Sequence, residues 1–208
     1  MGRFGKNKRD IKKAEAVATL MLTARGSPFI YYGEEIGMTN TFSEKIKDVN
    51  DVQAIRDYNL AIKQGKTKKQ ALKIADENNR DKARSPMQWN KNKYAGFSNK
   101  KPWIKVNENY KVVNVETEEK NKNSILNFYK KLIKIRQSEK VFQFGVYTLL
   151  KKDGDMIYFK RKHKSEEVSV LINFGKKKKI NFNLSNYNVL LGKKGNYLNE
   201  NGILILKK

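Results

Sequence analysis

The segment Ile11 to Arg25 (IKKAEAVATLMLTAR), with the few residues after it, constrains the fold more than any other stretch of this chain. Its residues are strong helix formers, and apolar side chains cover most of its circumference, as in a helix that is largely buried rather than half-exposed. Gly26 stands where a helix C-terminus places a glycine, and Ser27-Pro28 turns the chain. Phe29-Ile30-Tyr31-Tyr32 then reads as a short buried strand ending at Gly33. A buried helix followed so closely by a buried strand is the rhythm of a parallel α/β unit.

From Thr39 the pattern becomes irregular. Helices are expected at Asp51 to Gln64 and Thr67 to Asn79, separated by Gly65-Lys66. The stretch up to Trp103 holds Pro86, Gly96, Pro102 and both tryptophans, Trp89 and Trp103. It is far longer than an ordinary α/β connection, and loops of that length are usually functional. Asn121 to Gln137 reads as an amphipathic helix on the spacing of Ile125, Phe128, Leu132 and Ile135. After Ser138 the periodicity changes. Phe144 to Leu150, Met156 to Arg161, Val168 to Phe174, Ile180 to Leu184, Asn188 to Leu191 and Ile203 to Leu206 are short, partly alternating runs. Turns such as Asp153-Gly154 and Asn201-Gly202 separate them, which predicts an antiparallel β-sandwich. The expected division is therefore an α/β part, residues 1–138, and an all-β domain, residues 139–208.

Composition excludes several chemistries. The chain has no cysteine, so disulfides and thiolate metal sites are ruled out, and its single histidine, His163, lies in a run of charges and reads as a solvated surface residue. No metal-ligand cluster, Gly-rich phosphate loop or cofactor motif appears. No apolar run approaches the roughly 20 residues of a membrane span, and no apolar segment follows the first charges, so a soluble cytoplasmic protein is expected. The net charge of +24 would ordinarily suggest nucleic acid. Here 37 lysines stand against 8 arginines and are scattered along the chain, with one dense run at Lys176 to Lys179. Phosphate and base recognition favour the arginine fork, so no specific nucleic-acid partner is expected.

Carboxylate chemistry has little to work with. Glu34 and Glu35 follow the expected strand, but neighbours in an extended chain point to opposite faces and cannot flank one scissile bond. A structural role fits them better. Arg80-Asp81-Lys82-Ala83-Arg84-Ser85-Pro86-Met87-Gln88-Trp89 is the most distinctive segment. Its arginines, Asp81, Gln88 and Trp89 suit sugar hydroxyls and a pyranose face; they suit equally a salt-bridged loop anchored by Trp89.

Several segments together resemble one family. Arg25-Gly26-Ser27-Pro28-Phe29-Ile30-Tyr31-Tyr32-Gly33-Glu34-Glu35-Ile36-Gly37-Met38 is similar to the stretch around the last barrel strand of oligo-1,6-glucosidases in the α-amylase superfamily. Arg80 to Trp89 resembles the R-D-x-x-R-T-P-M-Q-W signature of that group. Ala95-Gly96-Phe97, Pro102-Trp103, Ser124 to Arg136 and Arg3-Phe4-Gly5 match further segments in the same order. Tyr32, Ser85 and Asn90 stand where relatives commonly carry Gln, Thr and Asp.

The resemblance implies the last strands and helices of a (β/α)8 barrel followed by a β-sandwich that lacks its final strand. It implies retaining hydrolysis of terminal α-glucosidic bonds, with an α-glucoside oligosaccharide as substrate and no cofactor. Arg84 matches the family arginine that contacts the non-reducing glucose, with Arg80 and Asp81 supporting it. The family's three catalytic carboxylates lie upstream of the R-F-G match, and no Asp or Glu here takes their place. The expectation is thus a C-terminal portion of an α-glucosidase with no catalytic residue of its own, or alternatively a carbohydrate-binding or interaction module.

Overall fold

The computed structural model describes residues 9–181 and 183–208. The Arg3-Phe4-Gly5 match therefore lies outside the described residues. In chain order the helices are α1 (Ile11–Thr23), α2 (Val52–Lys63), α3 (Lys68–Asn78), α4 (Val115–Lys120), α5 (Ile125–Ser138) and α6 (Lys140–Phe144). The strands are β1 (Val146–Asp153), β2 (Met156–His163), β3 (Glu166–Asn173), β4 (Lys178–Lys179), β5 (Asn188–Gly192), β6 (Tyr197–Leu198) and β7 (Gly202–Lys207). Among the described residues no helix is long and apolar enough to cross a membrane.

The chain divides into two compact units. One holds Arg9 and Tyr32–Lys122; the other holds Asp10–Tyr31 and Asn123–Lys208. Residue 139, the expected boundary, falls inside the second unit, because α1, α5 and α6 pack on the same sheet as the strands that follow them.

In that second unit a five-stranded sheet runs in the order β1-β2-β3-β7-β5, every neighbouring pair antiparallel. Val168, Val170 and Ile172 of β3 face the helices, where Ala18 and Leu22 of α1, Ile125 and Leu132 of α5, and Phe142 of α6 complete a core. Leu171, one position out of phase, points to the other face and packs with Leu204, Leu206, Ile180 and Leu198. Each such buried side chain contributes about 1.5–3 kcal/mol. The small β4-β6 sheet lies on this second face, so the expected sandwich is realised there only, and helices cover the opposite face. Strand β1 is an edge strand, almost entirely exposed, with a register shift between Tyr147 and Leu149.

The C-terminal end of α1 is held by two arginines. Arg161 on β2 is fully buried, and its guanidinium donates to the carbonyls of Thr23 (2.9 Å), Ala24 (3.1 Å), Phe142 (3.0 Å) and Gly145 (2.8 and 3.2 Å). Arg136 of α5 donates to Leu22 (2.6 Å), Ala24 (3.3 Å) and Gly26 (2.7 Å). These carbonyls have no partner within a helix, and a cation near them is further favoured by the negative end of the helix dipole. Burial pushes both guanidinium pKa values down, yet an arginine stays charged in a protein.

Four expectations need correction. Phe29 to Tyr32 forms no strand, and its side chains are exposed, Phe29 at 86%. A strand exists only in a ladder, and among the described residues no parallel partner is paired with it. Phe144 ends α6 rather than opening a strand, because Gly145 turns the chain before Val146. The run expected at Ile180 to Leu184, which includes an undescribed residue, is preceded by the two-residue β4 and is not itself described as a strand. His163 is half-buried, its ring 5.6 Å from that of Phe144, and so is not simply solvated.

The first unit carries the two expected helices as a hairpin. Asp51 caps α2 by accepting from the Gln53 N–H, and Thr67 with Gln70 forms a reciprocal capping box at α3. Gly65, at φ +77°, takes the left-handed conformation that ends α2. Val49, Ala54 and Ala75 make the small core between the helices, with Ile55, Tyr58 and Leu72 packed around it.

Candidate functional site

The Arg80–Trp89 loop follows directly on α3. Asn79 accepts a hydrogen bond from the Asp81 N–H (2.9 Å), which starts a single 3-10 turn at Arg80–Ala83. Asp81 is buried, and its Oδ2 accepts from the backbone N–H groups of Asn50 (2.7 Å) and Asp51 (3.2 Å). Tyr32 reaches the same loop, its hydroxyl 3.1 Å from the carbonyls of both Ala83 and Ser85. Ser85 to Gln88 are buried, and Gln88 donates to Asn109 (3.0 Å) and to the Val113 carbonyl. Gln88 is therefore a structural clamp. Trp89 is 49% exposed, and it ties the loop through its backbone, its N–H donating to the Ala95 carbonyl (2.9 Å) and its carbonyl accepting from the Glu116 N–H (3.0 Å).

The two arginines do different things. Arg80 grips Asp51 in a two-pronged ion pair, Nε to Oδ2 at 3.0 Å and Nη2 to Oδ1 at 2.8 Å, and its backbone N–H adds a 2.8 Å bond to Oδ2. Arg84 is half-exposed, and its guanidinium comes only within 4.0 Å of Asp81 Oδ1. That oxygen accepts no hydrogen bond among the described residues. Of the three residues expected to serve the site, Asp81 holds the loop to α2, Arg80 is committed to Asp51, and Arg84 presents its donors to solvent.

Asp51 was not singled out as a site residue from sequence, although its place at the expected start of α2 marks it as a cap. The Arg80 side-chain hydrogen bonds, opposed by burial, hold its carboxyl well below the usual carboxylate range. A depressed folded value means that the stabilisation is complete above the unfolded value of about 3.9 and is lost as pH falls below it. An Asp51→Asn variant should therefore lose less stability than the wild type between about pH 4 and pH 2. Thermal unfolding across that range checks this, and parallel acid limbs would refute it.

Beside the loop lies a cavity of about 490 Å³ within the same unit, lined in part by Asp81, Phe42, Tyr94 and Trp103. Glu34 and Glu35 sit elsewhere, in a 3-10 turn between Gly33 (φ +87°) and Gly37 (φ +69°), so the extended geometry expected for them is not found. Successive side chains in such a turn still diverge around its axis.

The chain matches the α-amylase catalytic-domain family over residues 1–145. The chain belongs to that family. An oligo-1,6-glucosidase of Parageobacillus thermoglucosidasius is 36% identical over 180 residues, covering 85% of this chain and 32% of the relative. Trehalose-6-phosphate hydrolase of Bacillus subtilis is 34% identical, covering 78% of this chain and 29% of the relative. The chain thus spans about a third of the length of the curated relatives it matches. Among solved structures, trehalose-6-phosphate hydrolase of Bacillus licheniformis superimposes with a TM-score of 0.87 at 28% identity, over 99% of this chain and 40% of that one. Isomaltulose synthase of Klebsiella sp. LX3 follows at 0.84 and 29%, with the same coverage of both chains. The resemblance seen in the motifs, to oligo-1,6-glucosidases and their relatives, accordingly holds.

Proposed function

We propose that residues 80–89 are the sugar-facing loop of a retaining α-glucosidase that cleaves terminal α-1,6 or related bonds of oligosaccharides. In this reading residues up to 138 close a (β/α)8 barrel, and residues 139–208 belong to its C-terminal β domain. Arg84 donates hydrogen bonds to hydroxyls of the terminal glucose, while Asp81 and Arg80 fix the loop from which it projects. The observation that carries the reading is the division of labour between the arginines: Arg80 is bound twice to Asp51, and Arg84 is left with its donors exposed beside Asp81. The nucleophile, acid/base and transition-state carboxylates are assigned to none of the residues present. The first two would flank the scissile bond about 5 Å apart, as retention requires.

The test uses the purified chain. A chromogenic α-glucoside should release no chromophore, whereas isomaltose should bind saturably in a calorimetric titration. Turnover would overturn the assignment of the carboxylates, and absence of binding would overturn the role of the loop.

A further inference from the structure

The cavity next to Asp81 is not explained by Arg84, which does not line it. Three features define its chemistry. The first is aromatic surface: Trp103 is 71% and Phe42 45% exposed, and Tyr94 is half-buried. Lys82 covers one face of Phe42 and Lys93 one face of Tyr94, each at 5.1 Å, so the freely available aromatic face belongs chiefly to Trp103. Large exposed aromatics grouped in a concavity mark a binding surface rather than ordinary surface residues.

The second feature is charge. Glu44, Asp48 and Asp81 stand against Lys47, Lys101 and Lys105 in the lining, three acids and three bases. Lys105 is already paired with Glu44 (3.0 Å) and Glu108 (2.9 Å). In a chain whose net charge is +24, a cavity with balanced lining charge is a local exception. It offers no excess cation to a phosphate and no excess anion to a metal. It does offer the carboxylates of Glu44 and Asp48 and the Asn50 side chain as partners for hydroxyl groups. The third feature is size: about 490 Å³ lies within the roughly 300–1,000 Å³ of small-ligand sites.

We propose that this cavity is a second saccharide site, stacking an uncharged glucose-containing oligosaccharide on Trp103 apart from the Arg84 contact. The ligand class rests on the proposed function; the existence of a separate neutral site rests on the aromatics and the charge balance. The ring stacks on the indole face, while its hydroxyls bond the carboxylates along the wall.

Calorimetric titration of the chain with isomaltotriose tests it, with trehalose 6-phosphate as the anionic probe. The wild type should show two sites. Trp103→Ala should weaken one of them at least tenfold, Trp103→Phe should recover most of that loss, and Arg84→Ala should leave that site intact. Trehalose 6-phosphate should bind there at least tenfold more weakly than isomaltotriose. Trp103 is exposed, so its replacement leaves the core in place. Identical titrations of wild type and Trp103→Ala would overturn the proposal, as would a single site lost in Arg84→Ala or no binding at all. A site lost in Trp103→Ala but no change in Arg84→Ala would uphold it while removing the role given to Arg84.

Discussion

Replacing Arg161 by methionine should lower the unfolding free energy by roughly 3–5 kcal/mol, a large share of the 5–15 kcal/mol that a domain typically has. The side chain is fully buried and serves four carbonyls with five hydrogen bonds, two of them at the end of α1 and two at the end of α6. Methionine fills similar space but leaves those carbonyls without their donor, and each unmet buried acceptor costs about 1–3 kcal/mol before water enters. With a urea slope of about 1–3 kcal/mol/M, the midpoint should fall by about 1 M or more. Arg161→Lys keeps the charge but not the fork, and should fall between the two. A midpoint unmoved in Arg161→Met would show that the ends of α1 and α6 are held by other contacts.

The second large effect is an asymmetry. Arg84→Ala should weaken isomaltose binding about 10- to 100-fold, the loss of 1.5–3 kcal/mol expected for a hydrogen bond from a charged donor, with the unfolding midpoint unchanged. Arg80→Ala should lower the midpoint, because buried Asp51 then loses its counterion while still capping α2. Its effect on binding should follow from loosening of the loop and be partly restored at low temperature. If both variants lose binding equally with unchanged midpoints, the two arginines both touch sugar and Arg80 is not a purely structural residue.

Much of this was legible in the sequence, and what was not has a physical reason. The caps of α2 and α3 are local devices, Asp51 with Gln53 and Thr67 with Gln70, and local devices can be read along the chain. So can β2, β3 and β7, whose alternation reflects two unlike faces. Phe29 to Tyr32 misled because an apolar run has the same pattern whether or not a neighbouring strand receives it. Helix α6 has five residues and β4 and β6 two each, too few for a period to show. At the site, the resemblance marked Arg84 as the glucose contact with Arg80 and Asp81 in support, but not what each is bonded to. Which arginine is tied down depends on Asp51, 29 residues earlier, and that pairing is a property of the folded loop. The cavity at Trp103 draws on segments near residues 42, 81, 94 and 103, a grouping that no spacing rule reveals.

The exposed strand β1 gives the lysines a use unrelated to any ligand. An open sheet edge is a template on which another chain can add a strand, and Val146, Tyr147 and Leu150 would make this one attractive. Its register shift breaks the regular spacing of free backbone groups, and Lys151 and Lys152 set charge beside them. Two copies approaching edge to edge would bring those lysines together on chains that each already carry +24. Like charge at this edge therefore opposes edge-to-edge pairing of two copies.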